Sequence, residues 1–184
     1  MFLIVTRNFP PDIGGIQSLM AGLSNGLTNH GPVKVFAYDF PECENYDKKS
    51  NMEIERIKGL KLFRKYRKAN LVNDFLKENS NIRAVFTDHW KSLELLNDEY
   101  LKRTQTICLL HSKEINHDKG TSINKRIIKS TNKANFIIAN SNFTKKLAIK
   151  LGLNQSKINV IFPGINKPKI LDSEDKEKSK NFFK

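Results

Sequence analysis

Acid, cysteine and long apolar runs are the scarce commodities of this chain. Its 184 residues carry 19 Asp and Glu against 32 Lys and Arg, a formal net charge of +13. Such a surplus bears on partners and not on fold; phosphates, anionic lipid and nucleic acid are all attracted by it. There are only two cysteines, Cys43 and Cys108. That is too few for a disulfide scaffold or a thiolate metal site, and a reducing, cytoplasmic compartment is the expectation. Cys108 lies inside the run TICLL and reads as a core thiol. No apolar stretch approaches the roughly 20 residues of a membrane span. The first residues lack the basic start and long apolar core of a secretion signal. No set of residues at metal-ligand spacing appears, so no metal and no cofactor is expected, nor can a Ser/His/Asp or Cys/His set be assembled from spacing.

What is present alternates. Apolar runs at Phe2–Val5, Val33–Tyr38, Ile82–Phe86, Thr106–Leu110, Phe136–Ala139 and Ile158–Phe162 read as buried strands. Helical spacing fills Ile16–Leu27, Asn70–Lys77, Ser92–Leu101, Ser122–Ser130 and Phe143–Leu151. Ser141 is placed to cap the last of these and Gly152 to end it. This order predicts an α/β, Rossmann-like parallel sheet with helices on both faces, a single domain over residues 1–166. Residues 167–184 lack periodicity and read as a linker or tail, with Phe182 and Phe183 unusual for a free end.

Ligands on such sheets bind at the carboxyl ends of the strands, and there the polar residues gather. After the first strand come Arg7, Asn8 and the pair Gly14-Gly15, directly ahead of a helix. That loop offers backbone N–H groups and a positive helix end to an anion, although its spacing fits a plain turn equally well. It is neither a dinucleotide fingerprint nor a P-loop. Asp88 and His89 follow the third strand; Asp88 also fits a helix cap. His111 follows the fourth and also fits an exposed loop histidine. Ser141 and Asn142 follow the fifth, and Gly164 follows the sixth, where a simple turn would serve.

Three segments carry a family resemblance: RNFPPDIGGI from Arg7 to Ile16, ANFIIANSNFT from Ala134 to Thr144, and KINVIFPGIN from Lys157 to Asn166. The second and third are similar to the patterns ADxVIAxSxxT and KIxVIPNGVD. In order and spacing, over about residues 1–166, the chain resembles the N-terminal domain of a retaining GT-B glycosyltransferase of family 4. The resemblance implies sugar transfer from a nucleotide-sugar donor to an acceptor, a lipid or cell-envelope glycan. The donor diphosphate would leave as the acceptor hydroxyl attacks the same face of the sugar. It implies that Gly14 and Gly15 face the donor diphosphate, that His111 is catalytic beside the transferred sugar, and that Arg7, Asp88, His89, Ser141, Asn142 and Gly164 line the acceptor or donor side of the cleft.

The sequence contains no counterpart of the second, Glu-rich domain of such enzymes. The expectation is therefore a chain inactive without a second domain, whether this is a piece of a longer protein, a split gene with a separate C-terminal half, or a degenerate remnant. The rival is an inactive half-domain that binds an anionic ligand or a partner.

The stretch Arg56–Lys68 holds seven basic residues, no acid, and the interleaved Ile57, Leu60, Leu62, Phe63 and Tyr66. Arg64, Lys65, Arg67 and Lys68 are candidates for docking on an anionic membrane at its inner face. A solvated basic face is the plain alternative. Nucleic acid is disfavoured because no nucleic-acid motif accompanies the charge.

Overall fold

A computed structural model describes residues 1–164; the tail expected over 167–184 lies outside the described residues. The strands are β1 (Phe2–Val5), β2 (Val33–Tyr38), β3 (Glu53–Ile57), β4 (Ala84–Thr87), β5 (Gln105–Leu110), β6 (Phe136–Ala139) and β7 (Ile158–Val160). They form one seven-stranded sheet in the order β3-β2-β1-β4-β5-β6-β7. Every pairing is parallel, with Val5 opposite both Phe36 and Thr87. The helices are α1 (Gly15–Thr28), α2 (Cys43–Lys48), α3 (Arg64–Glu78), α4 (Trp90–Leu93), α5 (Asp98–Leu101), α6 (Ser122–Thr131) and α7 (Asn142–Leu151). The strand order reverses between β1 and β4, so the crevice of this doubly wound sheet opens at their carboxyl ends.

All four residues of β1 are buried, because it is central and covered on both faces. Leu3 and Val5 join Val72 and Leu76 of α3, Trp90, Ile127 of α6 and Ala148 of α7 in one core. Phe2 and Ile4 face the other way, toward Met20 of α1. Each fully buried aliphatic side chain of these layers contributes about 1.5–3 kcal/mol. The two faces are not covered equally. Helix α1 lies over the first strands, whereas Phe86, Ile107 and Ile138 are only half-buried on the same face and Phe136 is exposed.

Strand β3, sequence EIERI, is absent from the apolar runs because it is an edge strand whose outward groups ionise. Lys34 of β2 meets Glu53 at 2.5 Å and Glu55 at 3.1 Å. Arg56 pairs with Asp47 of α2 at 2.7 Å. Charge on an edge also discourages pairing with another chain. The helix expected over Ser92–Leu101 is two helices, since Asn97 caps α5 by accepting from the Glu99 amide. Helix α3 begins at Arg64, six residues before the expected start.

The early start of α3 places Lys68 inside the molecule. Lys68 precedes Val72 and Leu76 by four and eight residues and so shares their inward face. It is 3% exposed. Its Nζ donates to the Thr6 carbonyl and to Ser92 Oγ, both at 3.0 Å, and lies 4.8 Å from the centre of the Tyr38 ring. Lys68 is therefore not a membrane-surface residue, contrary to the expectation from sequence. Burial lowers its ammonium pKa to about 8; Asp88 opposes that change and Arg7 adds to it. Below pH 8 the group is protonated whether folded or unfolded. Between about 8 and 10.5 the unfolded chain binds the proton more tightly, so the fold gains stability as pH rises. The unfolding free energy of the wild type should therefore climb relative to that of Lys68→Met between about pH 7.5 and 10, by at most roughly 1.4 kcal/mol for each step of one in pH. Urea titrations at the two pH values measure it, and a constant difference would contradict this role for Lys68.

Candidate functional site

Asp88, directly after β4, is 2% exposed. Its Oδ2 accepts from Thr6 Oγ1 at 2.9 Å and from the Arg7 amide at 3.0 Å; its Oδ1 accepts from Ser92 Oγ at 2.8 Å. Thr6 and Ser92 are also the groups that receive Lys68. Asp88 thus closes the crevice floor between β1 and β4. It is a buried seam residue and not an open wall of the cleft.

His89 begins α4 with Nδ1 accepting from the Lys91 amide at 2.9 Å. That bond leaves the ring hydrogen on Nε2. Burial, chiefly, lowers the imidazole pKa to about 3; Asp88 opposes, while Arg7, Lys91 and His111 add to the effect. His89 is therefore a neutral hydrogen-bond donor at physiological pH.

His111 follows β5, with its ring half-buried and its Nε2 buried without a hydrogen-bond partner among the described residues. The next residue is unusual. Ser112 has φ 60° and ψ −64°, and the Lys113 amide donates to the His111 carbonyl at 2.6 Å. This is a γ-turn of the strained hand, seldom adopted by a residue with a side chain. Two supports hold it. Glu114 accepts from the His111 amide through its carboxylate and from Trp90 Nε1 through its carbonyl, the latter at 3.1 Å. On the other side Ser112 Oγ lies 2.6 Å from Thr144 Oγ1. Thr144 donates its one hydroxyl hydrogen to Asn140 Oδ1 at 2.6 Å. Its oxygen must then accept from Ser112.

Ser141 caps α7 through the Thr144 amide at 3.1 Å, as its position implied, so its hydroxyl serves that cluster. Asn142 and Gly164 are exposed. The four side chains Arg7, Asp88, His89 and His111 come together around the ends of β1, β4 and β5, and Ser141 is linked to them through Thr144 and Ser112. Gly14 and Gly15 stand at the start of α1. Gly14 is extended at φ 166° and offers no side-chain cap. A Cβ added at Gly15 would meet nothing within 4 Å, so neither local backbone strain nor packing demands glycine there. Among the described residues no three His, Cys, Asp or Glu side chains gather as a metal site.

Sequence reasoning put Lys68 at a membrane surface instead of in the seam, and missed Thr144 as the centre of the hydroxyl cluster and Arg64 as a neighbour of Arg7. The first had a signal in its four-residue spacing from Val72; the others needed tertiary structure.

A parallel sheet of this order, with its polar groups at the carboxyl edge, defines a doubly wound, Rossmann-like α/β domain, the kind that forms half of a GT-B glycosyltransferase. The sequence profile of Glycosyltransferase Family 4 matches residues 13–167, and the chain belongs to that family. Solved structures agree on the fold. Anabaena HepE in complex with UDP and glucose matches 100% of this chain and 50% of its own length, at 15% identity and TM-score 0.71. A glycosyltransferase from Rickettsia africae matches 99% of this chain and 49% of its own, at 19% identity and TM-score 0.72. Acinetobacter baumannii MurG matches 92% and 47%, at 11% identity and TM-score 0.53. The chain thus spans about half the length of these structures. No curated protein matches it.

Thr144→Val keeps the shape of the side chain but strands Asn140 Oδ1 and Ser112 Oγ. It should lower the unfolding free energy by about 1–3 kcal/mol and speed exchange of the Lys113 amide, whereas Thr144→Ser should restore both. Urea unfolding and amide hydrogen exchange measure the pair of effects; normal exchange in Thr144→Val would show that the His111 loop holds itself.

Proposed function

We propose that this chain is the acceptor-side half of a retaining glycosyltransferase. It works together with a donor-binding half, uses a nucleotide-sugar donor, and serves an acceptor presented at a membrane surface. The observation that carries the reading is the open start of α1. Gly14 supplies no side-chain cap, the first turn holds no acid, and a Cβ at Gly15 would meet nothing within 4 Å, while the Gln17 side chain lies against Gly14. Free N–H groups at a helix N-terminus suit the diphosphate of a nucleotide sugar, and HepE, a structure of the same fold, was solved with UDP-glucose.

The chemistry asks for positioning and charge stabilisation more than for a covalent group. The α1 amides meet negative charge as it builds on the departing diphosphate. His111 stands on its strained loop beside the transferred sugar, its buried Nε2 unpaired among the described residues. His89, kept neutral, donates through Nε2 without repelling an oxocarbenium-like centre. The acceptor hydroxyl attacks the face that the diphosphate leaves, and the donor's anomeric configuration is retained.

Membrane docking rests on the segment between β3 and α3. Leu60 and Leu62 are 72% and 76% exposed, and Phe63 and Tyr66 about half. Lys58, Lys61 and Lys65 are exposed beside them. Of the four cations expected at the bilayer, only Lys65 is exposed. Arg64 and Arg67 are half-buried and donate to the carbonyls of Gly59 and Leu60. Among the described residues no helix is long and apolar enough to cross a membrane.

Co-expressed with a Family 4 donor half, the chain should support acceptor-dependent release of nucleotide diphosphate, and by itself no sustained release. Gly15→Val should fold normally, since its Cβ has room, yet reduce transfer roughly a hundredfold or more by blocking the diphosphate. Near wild-type transfer by that variant would reduce the loop to a connection. In vesicle co-sedimentation the chain should prefer anionic over neutral lipid. Binding should fade as salt shortens the Debye length from about 10 Å at 0.1 M to about 3 Å at 1 M. Replacing Lys58, Lys61 and Lys65 by Gln should release it; equal binding to both lipids would leave a solvated basic face.

A further inference from the structure

A cavity of about 130 Å³ opens beside the crevice, lined by Arg7, Asn8, Phe9, Asp12, Tyr38, Asp39, Phe40 and Arg64. It sits where β1 and β2 end and α3 begins. Two guanidiniums and two carboxylates line it, and neither guanidinium has an ion-pair partner among the described residues. Three other arginines of the fold have carboxylate partners: Arg56 with Asp47, Arg103 with Glu99, Arg126 with Glu94. Among the described residues no carboxylate lies within 4.0 Å of a guanidinium nitrogen of Arg7 or Arg64.

The side chain of Arg7 makes no hydrogen bond there at all, while its amide is fixed on Asp88. Arg64 donates only to backbone carbonyls, of Gly59 at 3.0 Å and Asp39 at 3.5 Å, and rests 6.0 Å from the Tyr38 ring centre. The two aspartates in the lining are engaged elsewhere: Asp12 accepts from Gln17 Nε2 at 2.5 Å, and Asp39 from Cys43 Sγ at 3.5 Å. Burial raises the pKa of the Tyr38 phenol between them; Arg7 and Arg64 oppose that rise and Asp88 adds to it. The larger cavity, lined by 116–119 and the last turns of α7, lies away from the strand ends because α7 runs back from that edge.

We propose that this cavity is a phosphoryl subsite and that the acceptor is consequently a phosphorylated molecule, its phosphate mono- or diester held between Arg7 and Arg64. The inference rests on the acceptor-side reading above. A planar guanidinium forms two parallel hydrogen bonds to a phosphate, and a pair of them encloses it. Tyr38 O–H supplies a further donor at the base. Arg64 opens α3 directly beside Leu62, Phe63 and Lys65, so a lipid carried on the phosphate would continue onto that apolar ridge, whereas a sugar carried on it would lie toward Arg7 and the crevice.

The test is direct binding to the 184-residue chain, followed through backbone amide and arginine Nε–H resonances. Glycerol 3-phosphate should shift Arg7, Tyr38 and Arg64 saturably, and glycerol should not. Arg7→Gln and Arg64→Gln should each weaken binding roughly tenfold or more, and Arg7→Lys less than Arg7→Gln. The Arg7 side chain has no partner among the described residues, so its variants should fold as the wild type does. A double Lys119→Gln, Lys150→Gln variant at the other cavity should bind unchanged.

Dioctanoyl phosphatidic acid below its aggregation threshold and inorganic phosphate separate the two sources of the group. Tighter binding of the lipid with added shifts at Leu62 and Phe63 identifies a lipid phosphate; equal binding identifies a soluble one. Shifts confined to Gly14 and Gly15, or undiminished binding in both Arg→Gln variants, would overturn the subsite. Efficient transfer to a neutral acceptor, unchanged by Arg7→Gln in the two-part enzyme, would overturn it too while leaving glycosyl transfer standing. Binding at the subsite without transfer to any phosphorylated acceptor would instead remove the acceptor-side reading and keep the site.

Discussion

A carboxylate with no solvent and an ammonium with no solvent hold this edge of the sheet together. Asp88 and Lys68 do not touch as an ion pair; they meet through Thr6 and Ser92, each of which bonds to both. Burying either charge alone would cost several kcal/mol. Together they join β1, β4, α3 and α4 at the point where the winding of the sheet reverses. The crevice that a doubly wound sheet leaves there is therefore floored by a rigid polar seam and not by a loose pair of loops.

That seam decides which groups remain free for a ligand. The Arg7 amide is spent on Asp88, while its guanidinium lines the neighbouring cavity with no partner among the described residues. Because His89 follows the seam and caps α4 with one nitrogen, it is fixed in one tautomer, neutral, with the other nitrogen available. The His111 loop is the second rigid point, braced by Glu114 against Trp90 and by Ser112 against Thr144. Strain of the kind seen at Ser112 persists only where surroundings over-determine it, and here they do. A glycosyl transfer that relies on geometry and electrostatics gains from such preorganisation.

The central strands were legible because they are apolar on both faces: β1, β2 and β6 fall where the sequence places them. Strand β3 was not, since an edge strand written EIERI reads as polar until Lys34 and Asp47 are known to lie beside it. The basic stretch hid two different environments under one composition. Leu62, Phe63 and Lys65 are outside, while Lys68 is at the centre of the fold, and only its spacing from Val72 and Leu76 separates it from its neighbours. The site was legible as a set of strand ends. Which members face a ligand and which serve the scaffold, as Asp88 and Ser141 do, depends on hydrogen bonds spanning dozens of residues that no local pattern encodes.

Everything at this edge hangs on the coupling of Asp88 to Lys68 across the seam, and a double-mutant cycle measures it. Unfolding free energies of the wild type, Asp88→Asn, Lys68→Met and the double variant would be compared at about pH 7, where the ammonium is charged. Each single change should be strongly destabilising, and the double variant should fall short of their sum by more than about 1 kcal/mol, because each change alone strands the other charge. Additivity within about 0.5 kcal/mol would contradict the coupling.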